Sequence, residues 1–410
     1  MNDPLARVEI DGIAAGGDGV GRTEGMVVFT PRTAIGDVAL VRLARHKRFA
    51  RGTLVSLERE SPDRIEAPCA HYVQDRCGGC QLQHMTYDAQ RRAKATIIAD
   101  SLRRIGRRET PHFDVEASEA QWRYRRKLTL HLRRRGDRWI AGLHPFDDPR
   151  AVFPLEDCPI TDERVLAVWT SLRNGFDFLP SESTLRVAVR LVSGGAAVVV
   201  EGGRSWPDPE RFIQAADDVV ELWWKPEQGR TRRLAARTGG LRAGASFAQV
   251  NAGVAMRLRD HVLDRVRAYA PASVVDAYAG VGDTALALAR DATVTAIELD
   301  ASAVEQFAHH LRPPSRAISG RVEEHLEEAL PADVVLLNPP RSGVDSYVTN
   351  VLEHVASPPR AIIYVSCDPA TLARDLARMP RYRLASVGAY DMFPQTAHVE
   401  TVCELVPEAA

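Results

Sequence analysis

From Ala243 onward, short apolar runs alternate with helix-length stretches. A helix is predicted over Val254–Ala268 and another over Asp283–Arg290. Strands are predicted over Ser273–Asp276, Thr293–Ile297, Asp333–Leu337, Ala361–Val365 and Thr401–Leu405. Strands separated by helices are joined by crossovers rather than hairpins, so the pattern predicts an α/β domain built on a parallel sheet. Open sheets of this kind bind ligands outside the carboxyl ends of their strands. The residues that follow each strand are therefore where chemistry is expected. They are the loop Ala277–Gly282, Glu298, Asn338-Pro339-Pro340 and Ser366-Cys367.

The fourth of these is the sharpest. Ile362, Ile363, Tyr364 and Val365 form a β-branched and aromatic run. Asp368-Pro369 after it suits the start of a helix, with Asp368 as N-cap and Pro369 in the first helical position. Cys367 then lies between a strand end and a helix N-terminus, a position that lowers a thiol's pKa. The loop AYAGVG carries Gly280 and Gly282 and is followed by Ala285. With Glu298 after the next strand it fits a nicotinamide dinucleotide or S-adenosylmethionine equally, since both need close backbone approach and a carboxylate for ribose hydroxyls. NPPRSG (Asn338–Gly343) separates the two. A side-chain amide on a rigid Pro-Pro turn suits holding a planar base beside a methyl donor, and hydride transfer has no use for it.

Cys367, Asn338 and a later carboxylate meet the needs of one reaction. Carbon 5 of uracil is a poor nucleophile until a thiolate adds at carbon 6, and a base must afterwards remove the carbon-5 proton. Glu400, in DMFPQTAHVE before the final strand, is the expected base, with His398 as its competitor.

The front of the chain differs in charge. Residues 1–245 hold 39 Lys and Arg against 33 Asp and Glu, and residues 246–410 hold 14 against 21, giving +6 and −7. A basic front on an acidic rear implies an anionic partner for the front. Short alternating runs (Ala6–Ile10, Met26–Phe29, Val38–Leu43, Gly52–Leu57) predict a small β-barrel over residues 1–60. GGDGVGR (Gly16–Arg22) lacks the Lys-Ser/Thr of a phosphate loop and is read as a turn. The last barrel hairpin carries Arg42, Arg45, Lys47, Arg48 and Arg51 around Phe49, an arrangement suited to RNA. In Gln121–Arg138 eight basic residues face one Asp, and Trp122 and Tyr124 alternate with Arg123 and Arg125. As a strand, this stretch would set aromatics on one face and arginines on the other. A helix follows the cysteines from Tyr87 to about Arg108, and Gln228–Gly240 reads as a hairpin or linker.

Cys69, Cys77 and Cys80 lie close in sequence, the last two as Cys-Gly-Gly-Cys, and Cys158 is the candidate fourth ligand. Four thiolates suit zinc or an iron–sulfur cluster. Cys403, inside the last strand, is expected to be core. The composition, 45% apolar and 26% charged, is that of a globular protein. The opening MNDPLARVEI lacks the apolar core of a secretion signal, which makes the cytoplasm the expected compartment.

FAQVN (Phe247–Asn251), DAYAGVG (Asp276–Gly282), IELD (Ile297–Asp300), LLNPPRSG (Leu336–Gly343), YVSCDPATLARD (Tyr364–Asp375) and DMFPQTAHVE (Asp391–Glu400) occur in an order that resembles the RNA uracil-5-methyltransferase family over nearly the whole chain. The resemblance implies a multidomain α/β protein. It would have a TRAM-like barrel at 1–60, a central α+β RNA-binding domain with the cysteine site at 61–242, and a Rossmann-like class I methyltransferase domain at 243–410. It implies Cys367 as nucleophile and Glu400 as base. Gln249, Tyr278, Glu298 and Asn338 would line the S-adenosylmethionine site, and Cys69, Cys77, Cys80 and Cys158 would hold a [4Fe-4S] cluster, with zinc as the alternative. The substrate would be structured RNA, ribosomal ahead of transfer RNA, and the protein a monomer without a membrane partner. The family usually has Asp where this chain has Asn338 and Asn where it has Asp283. An amide at 338 also suits cytosine, so a cytosine-5-methyltransferase is an alternative, as is an RNA-binding iron–sulfur protein with a vestigial methyltransferase domain.

Overall fold

The computed structural model describes residues 4–237 and 249–408. Phe247 and the expected domain boundary at 243 lie outside them. Two compact units emerge, one of residues 1–66, 84–119 and 253–410, the other of residues 67–83 and 120–252. Among the described residues no helix is long and apolar enough to cross a membrane.

The first unit begins with a closed five-stranded barrel. Its strands, in order around the barrel, are Leu5–Ile13, Gly19–Thr23, Met26–Thr30, Phe49–Arg59 and Val38–Arg45. Alternation sends Val8, Ile10, Val28, Val41 and Leu43 inward. GGDGVGR is only half turn, because Gly19–Thr23 is a strand. Gly21 allows that strand to lie close on its neighbour, since a Cβ there would sit 2.2 Å from the Glu9 carbonyl oxygen.

The remainder of this unit is an eight-stranded sheet. Arg316–Ser319, Thr293–Glu298, Ser273–Ala277, Val334–Leu337 and Ala361–Ser366 run parallel. Glu400–Pro407 is then antiparallel to Ala361–Ser366, and Tyr382–Tyr390 and the short Val115–Glu116 complete the edge. Val334–Leu337 and the run from Ala361 to Val365 are apolar throughout because both faces are covered. Val275, Val335, Ile362 and Tyr364 face one core with Val348, Leu372 and Leu376. Val274, Val334, Ile363 and Val365 face another with Val254, Leu258 and Val262. Strand order reverses at Ser273–Ala277, whose successors in the chain lie on opposite sides of it. The crevice beyond the carboxyl ends at this point is the expected ligand position.

The helix before these strands spans Tyr87–Arg104 and ends earlier than the sequence suggests, with Arg107 at a positive φ beyond it. Thr86 caps it through the Ala89 amide, with Asp88 in its first turn and Arg103 and Arg104 in its last.

The second unit is a seven-stranded sheet in the order Arg232–Ala236, Val219–Lys225, Gly195–Glu201, Thr184–Val192, Lys127–Arg135, Arg138–Leu143, Phe153–Pro154. Leu128, Leu130, Leu132, Val187 and Val189 alternate onto the helix Glu163–Leu172, where Val165, Val168, Trp169 and Leu172 receive them. The hairpin reading of the region after Gln228 corresponds to the antiparallel pairing of Val219–Lys225 with Arg232–Ala236, while residues 238–240 lie outside the described ones.

The stretch around Trp122 corrects an expectation. The strand starts only at Lys127, and Arg123 has φ 54°, which breaks the alternation of aromatics and arginines. Tyr124 is buried against Cys69, Cys80 and Ile160, with Trp122 packed at the margin of the same cluster. Arg123 is engaged by both oxygens of Asp157, at 2.7 and 3.0 Å. Tyr124 is thus core and Trp122 half-buried at its margin, not side chains on one face of a strand.

Candidate active site

Backbone register brings Cys367 and Glu400 together. Ser366 pairs with Thr401 in the antiparallel ladder between Ala361–Ser366 and Glu400–Pro407. Cys367 follows Ser366 and Glu400 precedes Thr401, so one further step places them opposite each other at the sheet's end. Asp368 caps the next helix by accepting from the Thr371 amide at 2.8 Å, and Pro369 occupies its first turn, as expected. Ser366 Oγ accepts from the Asp368 amide at 3.1 Å and fixes the turn that presents the thiol.

Burial raises the Glu400 carboxyl from 4.5 to about 7, against a lowering pull from the Arg341 guanidinium. The Cys367 thiol is also raised. Burial is the main cause and the Glu400 carboxylate adds to it, while Arg341 opposes both through charge and a hydrogen bond. A thiol lowered by its helix N-terminus was the expectation; loss of water around a half-buried sulfur outweighs it. Arg341 is the residue sequence reasoning overlooked. It stands within NPPRSG, and no local feature of that motif announces a cation shared by a thiol and a carboxylate distant in sequence. His398, the competing base, is exposed, whereas Glu400 is buried.

The Arg341 loop is fastened to the helix that follows Cys367. Asp375, fully buried, accepts from the Val344 amide at 3.1 Å, the Tyr364 hydroxyl at 2.8 Å and Arg374 at 2.7 Å. Gly343 has φ +79°, and a Cβ there would stand 2.2 Å from Asp375 Oδ2, so only glycine lets the loop close.

Tyr278, Glu298 and Asn338 end or directly follow three neighbouring parallel strands at the switch point. Glu298 ends its strand half-buried, its Oε2 accepting from the Gly280 amide and its Oε1 from the Asp300 amide, both at 2.8 Å. Tyr278 holds φ 66°, a costly conformation for an aromatic residue, and burial raises its hydroxyl pKa. Asn338 is exposed, directly after Val334–Leu337. Asp276 adds a group that was not singled out. It is buried, its Oδ2 accepts no hydrogen bond from the protein, and burial lifts its carboxyl to about 7. Gln249 is half-buried and belongs to the other unit.

In the second unit Cys69, Cys77, Cys80 and Cys158 line one cavity of ≈140 Å³, together with Tyr72, Leu128 and Ile160. All four are free thiols. Burial pushes Cys80 well above the ordinary thiol range, and the other three cysteines push in the same direction. The Gly79 amide points to Cys77 Sγ at 3.4 Å, which uses the tight turn the glycines provide. Among the described residues no group of three or more His, Cys, Asp or Glu side chains is gathered so as to hold a metal ion. Cys403 is fully buried in the core, as expected.

Residues 320–406 match the family model described as tRNA (Uracil-5-)-methyltransferase. The chain is 33% identical to an uncharacterized RNA methyltransferase of Thermosynechococcus vestitus over 97% of each chain. It is 33% identical to another from Gloeobacter violaceus, covering 97% of this chain and 95% of the relative. A third, from Protochlamydia amoebophila, is 30% identical over 97% and 96%. Among solved structures, the Pyrococcus abyssi tRNA (uracil-54, C5)-methyltransferase in complex with S-adenosyl-L-homocysteine shares the fold, with a TM-score of 0.70 and 23% identity over 98% of this chain and 99% of that one. With full-length relatives at this identity and the C-terminal motif match, the chain belongs to the RNA uracil-5-methyltransferase family.

Proposed function

We propose that the protein methylates carbon 5 of a uridine in structured RNA, ribosomal RNA ahead of transfer RNA, through a covalent adduct on Cys367. The observation that carries this reading is the ladder register that sets Cys367 beside Glu400, with Arg341 acting on both. The Cys367 thiolate, favoured by the Arg341 cation, adds to carbon 6. The ring electrons shift to carbon 5, which forms its bond to the methyl carbon as the donor's carbon–sulfur bond breaks. Glu400 takes the carbon-5 proton, the double bond between carbons 5 and 6 re-forms, and the thiolate leaves. A carboxyl near 7 is matched to accepting that proton at neutral pH. Asn338 offers an acceptor to uracil N3–H and a donor to O4.

S-adenosylmethionine, when bound, supplies an electrophilic methyl group. The switch-point residues fit it. Glu298 retains acceptor capacity for ribose hydroxyls beyond its two backbone amides, Asp276 Oδ2 has no protein partner, and Gly280 leaves the backbone approachable. The four cysteines fit a [4Fe-4S] cluster in donor type and number and in sharing one cavity. Such a cluster would tie the segment 69–80 to the loop at 158. The basic barrel hairpin, with Phe49 stacked on His46 and exposed Arg48 beside it, suits RNA backbone contact.

The test is tritium release from [5-³H]uridine-labelled RNA on addition of S-adenosylmethionine. Release by the wild type and none by Cys367→Ala is expected. An RNA-binding protein with a vestigial domain releases none, and wild-type release from Cys367→Ala would sink the covalent mechanism. Comparing ribosomal and transfer RNA from cells lacking the gene identifies the substrate.

A further inference from the structure

The helix Tyr87–Arg104 buries two side chains that a helix on an apolar core would normally exclude. Lys94 has no exposed surface, and Gln90 is 1% exposed. Burying them without partners would cost several kcal/mol, so their partners reveal what they are for. Lys94 Nζ donates to Asp391 Oδ1 at 2.5 Å and to the Phe393 carbonyl at 3.1 Å. Gln90 Nε2 donates to Gln395 Oε1 at 2.9 Å, and its Oε1 accepts from the Gln395 amide at 2.9 Å. Gln90 also donates to the Met85 carbonyl at 3.0 Å, which fixes its own orientation.

Every one of these distant partners lies in the loop between the strands Tyr382–Tyr390 and Glu400–Pro407. Gln395 sits there at φ 71°, a conformation that must be imposed from outside, and Asp391, Gln395 and Thr396 are all buried. This loop delivers Glu400 to its strand. The same helix reaches the other reacting arm. Beyond its C-terminus Arg108 donates to the Met379 carbonyl at 2.8 Å, just past the helix Pro369–Ala377 that begins after Cys367.

We propose that Gln90 and Lys94 are positioning residues for Glu400, and that their helix braces the carboxylate against the Cys367 arm so that the carbon-5 proton lies within its reach. This rests on the reading of Glu400 as the base. Neither side chain touches substrate in this scheme. Their loss retards the proton-removal and elimination step while leaving thiolate addition and methyl transfer available. The signature is therefore a build-up of covalent protein–RNA adduct, which simple destabilisation does not produce.

The experiment uses the full-length protein, total RNA from cells lacking the gene labelled with [5-³H]uridine, and S-adenosylmethionine. Gln90→Met, Lys94→Met, Lys94→Arg and Glu400→Gln are compared for tritium release, for adduct on denaturing gels and for melting temperature. Gln90→Met and Lys94→Met are expected to slow release by roughly 10- to 100-fold, the scale of a misplaced reacting group, with a larger adduct fraction than wild type. Lys94→Arg is expected to recover part of the rate. Lys94→Met leaves the buried Asp391 without its cation; if it does not fold, Gln90→Met, which strands no charge, decides the matter. Folded variants that keep wild-type release, or that lose release without adduct, overturn the brace while Glu400→Gln still accumulates adduct. If Glu400→Gln accumulates none, the reading of Glu400 as base falls instead.

Discussion

Cys367 and the cysteines around the second unit's cavity are built on opposite principles. Cys367 is a single thiol at a sheet's end, half-buried, with one carboxylate and one guanidinium bearing on it. Proton affinity there is a balance, since burial and Glu400 hold the proton on while Arg341 draws it off. Around the ≈140 Å³ cavity the charged forms bearing on Cys80 are those of the other thiols, and each raises it further. Thiolates crowded in such a place repel one another, and a cationic centre would relieve that repulsion. The first arrangement suits a thiol that gains and loses its proton in each turnover. The second is the arrangement the proposed cluster would need, since metal-bound thiols give up their protons once, on binding.

The difference breaks most visibly by removing sulfur from each. Cys367→Ala is expected to lower methyl transfer by on the order of 10⁴-fold or more, since no other group forms the adduct. Its melting temperature and any visible absorption band should match the wild type. Tritium release beside a thermal melt checks both halves. Cys80→Ala is expected to do the reverse to the protein's integrity. If the proposed cluster is bound, the iron–sulfur band of anaerobically purified protein should vanish and stability should fall by more than about 5 kcal/mol, because ligand binding at such sites is folding energy. A colourless wild type with stoichiometric zinc would retain the second principle and replace the cluster.

The two sites were legible to different depths. Glu400 and Cys367 could be paired from sequence because each lies at the end of a recognisable strand, and their register did the rest. Arg341 could not, because its role comes from two partners that only the folded sheet brings to it. Lys94 and Gln90 were equally silent, since polar residues in a helix read as solvent-facing until partners some 300 residues away appear. Trp122 and Tyr124 misled for a local reason. Alternation was visible, but the positive φ at Arg123 that destroys it has no sequence signature. The strand Arg316–Ser319 went unnoticed because RAIS is short and offers little apolar pattern. The barrel and the parallel strands were clear wherever burial imposes a regular period.

Arg341 tests whether the balance at Cys367 is real. It lowers both the thiol and the Glu400 carboxyl. Arg341→Met is therefore expected to move the rising limb of the pH–rate profile up by about one unit, with roughly tenfold less activity at pH 7. Glu400 leaves its own mark on stability. Its carboxyl is raised from 4.5 to about 7, so the folded state holds the proton more tightly than the unfolded chain does. Stability from this group is complete below pH 4.5 and lost as pH rises through about 7, a change of at most about 3 kcal/mol. Urea midpoints at pH 5 and pH 8 should differ less in Glu400→Gln than in wild type, and an unchanged difference would mean that the carboxyl is not raised.

Cys403 supplies the smallest effect and the control for all the others. It is fully buried in the strand Glu400–Pro407, three residues from the proposed base, and burial alone pushes its thiol up to about 12. No charged group bears on it, so it has neither the opposed pulls felt by Cys367 nor the crowd of thiols around Cys80. Cys403→Ala removes one buried sulfur and is expected to cost roughly 1–2 kcal/mol, read from the urea midpoint. Activity, adduct formation and visible absorption should stay as in wild type. A large loss of turnover at unchanged stability would mean that packing behind Glu400 matters as much as the groups in front of it. The distinction between a reacting cysteine and a filling one would then rest on more than the charges each can feel.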